Sequence, residues 1–108
     1  MAELSPSACR LDATGRRDQA ERYRRLSPSV TDIQRRDGAL DVTFAAAVDV
    51  PLLREAVDVE RACCPFFDLR LDDHARTLHV AVADPDDRPA LDALAAAMRP
   101  EREPRARA

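Results

Sequence analysis

Apolar and polar residues alternate with a period of two in residues 40–44, 67–71 and 78–82, and this pattern predicts β-strands with one buried face. An Asp-Gly pair and an extended run over residues 30–36 precede the first of these strands, which indicates a hairpin. The other two strands flank a turn at residues 73–76, so a second hairpin is predicted. The residues expected on the buried faces are Leu40, Val42, Phe44, Phe67, Leu69, Leu71, Leu78, Val80 and Val82.

Three further segments carry apolar residues at helical spacing. The first covers residues 14–26 and is highly charged, with a thin apolar stripe. The second begins after Asp49, a suitable N-cap, and ends near Pro65, because proline disfavours helical geometry in the residue before it. The third begins at Asp86-Asp87. The residues expected to face the core are Ala20, Tyr23 and Leu26 in the first helix, Leu52, Leu53, Ala56, Val57, Val59, Ala62 and Cys63 in the second, and Leu91, Leu94, Ala95 and Met98 in the third.

The order of these elements, α-ββα-ββα, predicts a two-layer α+β fold with a four-stranded antiparallel sheet and helices on one face. We expect an N-terminal arm over residues 1–13, a single α+β domain over residues 14–99 and a disordered tail over residues 100–108. The alternation alone leaves open whether the two hairpins join in one continuous sheet.

Charge and hydropathy exclude several classes of protein. The 108 residues contain 17 basic and 20 acidic side chains, and the net charge of -3 argues against a dedicated nucleic-acid binder. No apolar run approaches the roughly 20 residues that a membrane span needs, and the N-terminus lacks the pattern of a secretory signal. We therefore expect a soluble, cytoplasmic protein without a membrane partner. The first helix carries an arginine cluster interleaved with acidic residues, which indicates a solvated face or a contact with an acidic protein partner: Arg16, Arg17, Arg22, Arg24 and Arg25.

The chain has three cysteines, an odd number that does not suggest a disulfide framework. Two of them form the adjacent pair Cys63-Cys64, and packing alone does not easily explain this pair. Thiolates bind soft ions such as mercury, trivalent arsenic, copper and zinc. Pro65 releases Cys64 from the regular helical direction, so both thiols can turn toward one site. Cys9 would add a third sulfur if the N-terminal arm folds back.

Residues 60–69, ERACCPFFDL, resemble the motif of a family of small uncharacterised bacterial proteins with a Cys-Cys-Pro-Phe segment. Members of this family often carry a cysteine near the N-terminus, and Cys9 occupies a similar place. Similar segments occur in proteins linked to heavy-metal resistance and in some metal-responsive regulators. The resemblance implies that Cys63, Cys64 and Cys9 hold a soft metal ion. Since this chain has no helix-turn-helix of its own, a regulatory role would require a protein partner. Besides the metal ion, two kinds of partner stay open, namely another protein and a second copy of this chain.

The sequence therefore predicts a thiolate-binding protein for a soft heavy metal of the Hg(II) or As(III) type, in a resistance or sensing role, rather than an enzyme. Arg61 and Asp68 are candidate supporting residues, because Arg61 favours the thiolate and Asp68 is a nearby carboxylate. Two alternatives stay open. In one, the protein is an interaction module whose cysteines belong to the core, with Cys63 continuing the apolar stripe of its helix. In the other, the thiol pair cleaves a carbon–mercury bond with a proton from Asp68, or cycles as a vicinal disulfide.

Overall fold

A single antiparallel sheet is the centre of the molecule, whose computed structural model describes residues 11–100. The sheet contains β1 (Val30–Arg36), β2 (Ala39–Phe44), β3 (Asp68–Asp72) and β4 (Thr77–Ala81). The spatial order is β1-β2-β4-β3, so each hairpin contributes its second strand to the middle of the sheet. The pairing of Leu40 with Val80 and of Val42 with Leu78 sets the register between the hairpins. The two predicted hairpins thus form one continuous sheet.

Three helices pack on one face of this sheet, namely α1 (Ala13–Leu26), α2 (Val50–Cys63) and α3 (Arg88–Met98). The alternating burial of β2 and β4 confirms the predicted period of two, with Leu40, Val42, Leu78 and Val80 almost completely buried beneath the helices. The predicted two-layer α+β fold is therefore confirmed. No helix in residues 11–100 has the length and apolar character needed to cross a membrane.

Each helix begins after an aspartate, which the sequence predicted for α2 and α3 but not for α1. The side chain of Asp49 accepts a hydrogen bond from the backbone N–H of Leu52 at 3.1 Å, with Pro51 in the first turn of α2. Asp12 caps α1 in the same way. At α3 the N-cap residue is Asp87, but its side chain makes no capping hydrogen bond, because a short 3-10 turn capped by Asp84 precedes the helix.

The buried faces of two helices differ from the prediction. α1 buries Gln19 together with the predicted Tyr23 and Leu26, whereas Ala20 is exposed. α2 buries Glu60 in addition to five of the predicted residues, whereas Ala62 is exposed and Val59 is half-buried. The prediction followed the apolar residues, but the real stripes follow the helical spacing and include these polar side chains. Both polar residues belong to the candidate site described below.

Local backbone geometry and side-chain hydrogen bonds shape the two hairpin turns. Gly38 in the first turn has a φ of 76°, a conformation that glycine adopts without strain. In the second turn, the side chain of Asp72 accepts hydrogen bonds from the backbone of His74 and Ala75, at 3.0 Å each. The predicted arm over residues 1–13 and tail over residues 100–108 fall largely outside the described residues.

Candidate metal centre

The two adjacent thiols lie side by side at the end of α2. Cys63 is the last helical residue, and Cys64 leaves the helix with a φ of -125° and a ψ of 75°. This change of direction before Pro65 brings the two Sγ atoms to 3.3 Å from each other. Each cysteine is only 4% exposed, so the pair is packed inside the protein.

A carboxyl group, that of Glu60, is the third member of the site. One carboxylate oxygen of Glu60 and the Sγ atoms of Cys63 and Cys64 all lie within 4.8 Å of one another. Glu60 is 7% exposed and lies one helical turn before Cys63 and Cys64 on the buried face of α2. These three residues could hold a metal ion. Sequence reasoning missed Glu60, although its spacing from Ala56 and Val57 places it on the apolar stripe.

Two residues of α1 hold the Glu60 carboxylate in place. Gln19 Nε2 donates to Glu60 Oε1 at 3.1 Å, and the hydroxyl of Tyr23 donates a short hydrogen bond to the same oxygen. Gln19 Nε2 also lies 2.8 Å from the carbonyl oxygen of Ala56. Arg22 Nη1 donates to Gln19 Oε1 at 2.9 Å, which fixes which end of the amide faces Glu60. The carboxylate of α2 is thus oriented by side chains of another helix.

Burial and the carboxylate both favour the protonated forms of the neighbouring groups. Burial raises the pKa of the Cys64 thiol far above its usual range, and a hydrogen bond and the negative charge of Glu60 raise it further. Burial also raises the pKa of Tyr23, and Glu60 adds to that shift through charge and hydrogen bonding. At neutral pH the Cys64 thiol and the Tyr23 hydroxyl therefore keep their protons.

Glu60 receives its hydrogen bonds from neutral side chains. Within residues 11–100, no arginine or histidine forms an ion pair with this carboxyl group. Buried charges in proteins are normally paired with an opposite charge or coordinate a metal, because burial removes the stabilisation that water provides. A cation held by Glu60 and the two sulfurs would supply that missing positive charge.

The other residues predicted for the site lie elsewhere or outside the described part of the chain. Arg61 is exposed, and its guanidinium donates to the carbonyl oxygen of Leu69 at 2.9 Å. Asp68 is exposed at the start of β3, with Arg70 Nη2 at 3.4 Å from its carboxylate. Neither Arg61 nor Asp68 belongs to the group of converging donor atoms. Cys9 lies outside the described residues, so the third sulfur stays a prediction.

Two sulfurs and one carboxylate oxygen form a donor set suited to soft and borderline ions, since thiolates prefer soft ions and carboxylates bind borderline ions such as zinc. The side chains of the set come from one helix end, and the hydrogen bonds that orient its oxygen come from another helix. Comparison of the chain with protein-family models, with curated proteins and with solved structures finds no match.

Proposed function

We propose that this protein binds a soft, thiophilic ion of the Hg(II) or As(III) class through Cys63 and Cys64, with Glu60 as an oxygen donor. The convergence of three buried donor atoms within 4.8 Å carries this proposal. A buried carboxyl group is unfavourable unless it is compensated, and a bound cation would compensate it more fully than the hydrogen bonds of Gln19 and Tyr23. The role that the sequence suggests is capture of the ion, for resistance or for sensing.

The separation of the two sulfurs bears on the identity of the ion. A tetrahedral ion with metal–sulfur bonds of about 2.3 Å holds two sulfurs roughly 3.8 Å apart. A linear two-coordinate ion would need a separation of about two bond lengths. The observed thiol–thiol contact of 3.3 Å is shorter than both separations, so an ion with a narrow S–ion–S angle, such as pyramidal trivalent arsenic, would need the least movement of the sulfurs. Binding of linear Hg(II) would need a larger movement of Cys64. Copper and zinc ions also bind thiolate sulfur and carboxylate oxygen. The addition of Cys9 would give the ion a set of three sulfurs.

The competing interpretation is that the cysteines only fill the core. Their low exposure and the raised pKa of Cys64 both make a thiol slow to react in the folded protein. The two interpretations differ in one observable, which is whether an ion reaches the thiols while the protein remains folded.

Titration of the reduced protein with Hg(II) and, separately, with arsenite tests the proposal. We expect one ion per chain, an ultraviolet band from the bonds between sulfur and the ion, and protection of Cys63 and Cys64 from alkylation. Circular dichroism recorded at each step shows whether the fold persists. The variants Cys63→Ser and Cys64→Ser should lose the band, whereas the matched variant Cys9→Ser reports whether a third sulfur contributes. Capture of the ion only after unfolding in urea would contradict the proposal and support structural cysteines.

A further inference from the structure

The oxygen donor of the proposed centre is oriented from α1, whereas the sulfurs belong to the end of α2. We infer that Gln19 and Tyr23 are positioning residues that make the site favour ions with an oxygen ligand. This inference rests on the proposed function and adds a determinant of ion preference to it. It is carried by the hydrogen bonds from these two residues to Glu60.

Both hydrogen bonds end on the same atom, Glu60 Oε1. The Cys64 thiol is hydrogen-bonded to the same carboxyl group, so the carboxyl group of Glu60 links α1 to the cysteine pair. Rotation of the carboxylate would break the hydrogen bonds from Gln19 and Tyr23 in an interior where water cannot replace them. The two residues therefore hold the carboxyl group of Glu60 in a single orientation beside the two sulfurs.

The positioning side chains are themselves fixed. Gln19 is buried, and its amide is held between Arg22 Nη1 on the oxygen side and the carbonyl oxygen of Ala56 on the nitrogen side. Tyr23 is buried at the interface of α1 and α2, with Gln19 Nε2 at 3.1 Å from its hydroxyl. A ligand supported by such partners reaches the ion already oriented, and partners of this kind commonly influence metal affinity.

Ions differ in how much they need this oxygen. Hg(II) is satisfied by two sulfurs, whereas Cd(II) and Zn(II) need additional ligands and accept carboxylate oxygen. Loss of the Tyr23 hydroxyl should therefore weaken Cd(II) binding by about 10- to 100-fold, the usual effect of removing a partner of a metal ligand. Hg(II) binding should weaken much less, so the ratio of the two affinities should change.

The experiment compares the wild-type protein with Tyr23→Phe, which keeps the aromatic ring and removes only the hydroxyl. Gln19→Leu serves as a second variant of similar size. Affinities for Cd(II) and Hg(II) are measured by competition with chelators of known affinity, and cadmium NMR reports whether oxygen or sulfur surrounds the ion. Leu91→Val in α3 is the matched control, because it disturbs the core without altering a residue that contacts Glu60.

The expected result is a selective loss of Cd(II) affinity in both α1 variants, with a cadmium signal that moves toward the range of sulfur-only sites. The control variant should keep the wild-type ratio of affinities and the wild-type signal. Equal losses for both ions with an unchanged cadmium signal would overturn the inference, because α1 would then act only through stability. Absence of Hg(II) and arsenite binding by the folded wild-type protein would instead overturn the proposed function, and the inference with it.

Discussion

Buried polar side chains are rare among the described residues, and two of the three lie at the candidate centre. Gln19, Ser27 and Glu60 are the polar residues in the buried set, and the rest of that set is apolar apart from the hydroxyl of Tyr23 and the two thiols. A buried donor or acceptor that loses its partner costs about 1–3 kcal/mol. The network around Glu60 is therefore a place where single substitutions have large effects on stability as well as on ion binding.

The Cys64 thiol makes the stability of the protein depend on pH. The folded protein holds the Cys64 proton more tightly than the unfolded chain does, because the pKa of this thiol is raised in the folded state. The stability that this thiol contributes is fully present below the pKa of the thiol in the unfolded chain, which is about 8.5. The contribution is lost progressively as the pH rises above that value. We expect the free energy of unfolding, measured in urea between neutral and alkaline pH, to decrease above this point.

The variant Cys64→Ala isolates that contribution, since the remaining cysteines and tyrosine titrate in both proteins. Its free energy of unfolding should decrease less steeply with pH than that of the wild-type protein. Equal slopes in the two proteins would show that burial of this thiol does not couple folding to protons.

The burial of single residues was predictable from the sequence where the apolar residues follow the spacing of a helix or a strand. The alternation over residues 40–44 identified the buried side chains of β2, and Asp49 was correctly identified as a cap. Gln19 and Glu60 were missed because their polarity argued against burial. The helical spacing of Gln19 from Tyr23, and of Glu60 from Ala56, nevertheless places both polar residues on the buried side of their helices. A polar residue at a buried helical position is thus a useful signal for a site.

At the scale of the element, the start of α2 is fixed by its N-cap. The carboxylate of Asp49 accepts the backbone N–H of Leu52, which otherwise has no partner within the helix. Asp49→Ala should lower the free energy of unfolding by about 1 kcal/mol, measured by urea denaturation. Asp58→Ala is the matched control, because Asp58 lies exposed on the same helix and forms a surface ion pair with Arg61. Its effect should stay within about 0.5 kcal/mol. Equal losses in the two variants would contradict the role of the cap.

The arrangement of the elements was less predictable than their existence. Local alternation specifies each strand but not its partner across the gap between the hairpins, so the pairing of β2 with β4 is a result of the structure alone. The same limit applies to the site. The hydrogen bonds from Gln19 and Tyr23 to Glu60 join residues 41 and 37 positions apart. No local pattern in the sequence records such a contact.

At the scale of the whole molecule, the sheet has a protected centre and two edges. β2 and β4 have a hydrogen-bonded neighbour on each side, whereas β1 and β3 have a neighbour on one side only among residues 11–100. Side chains of the central strands, such as Leu40 and Val80, are completely buried. Backbone amides in β2 and β4 should therefore exchange with deuterium more slowly than those in β1 and β3, as measured by mass spectrometry. Edge strands that exchange as slowly as the centre would indicate that the sheet opens only as a unit.

The order of the elements along the chain determines when the core covers the two thiols during synthesis. α1 and α2, which supply the positioning residues, the carboxylate and Cys63, precede β4 in the chain, and β4 is the strand that completes the centre of the sheet. Because a chain emerges from the ribosome with its N-terminal part first, the cysteine pair is made before the core that covers it can form. The nascent chain therefore exposes its two neighbouring thiols to oxidants and metal ions until the second hairpin has been added.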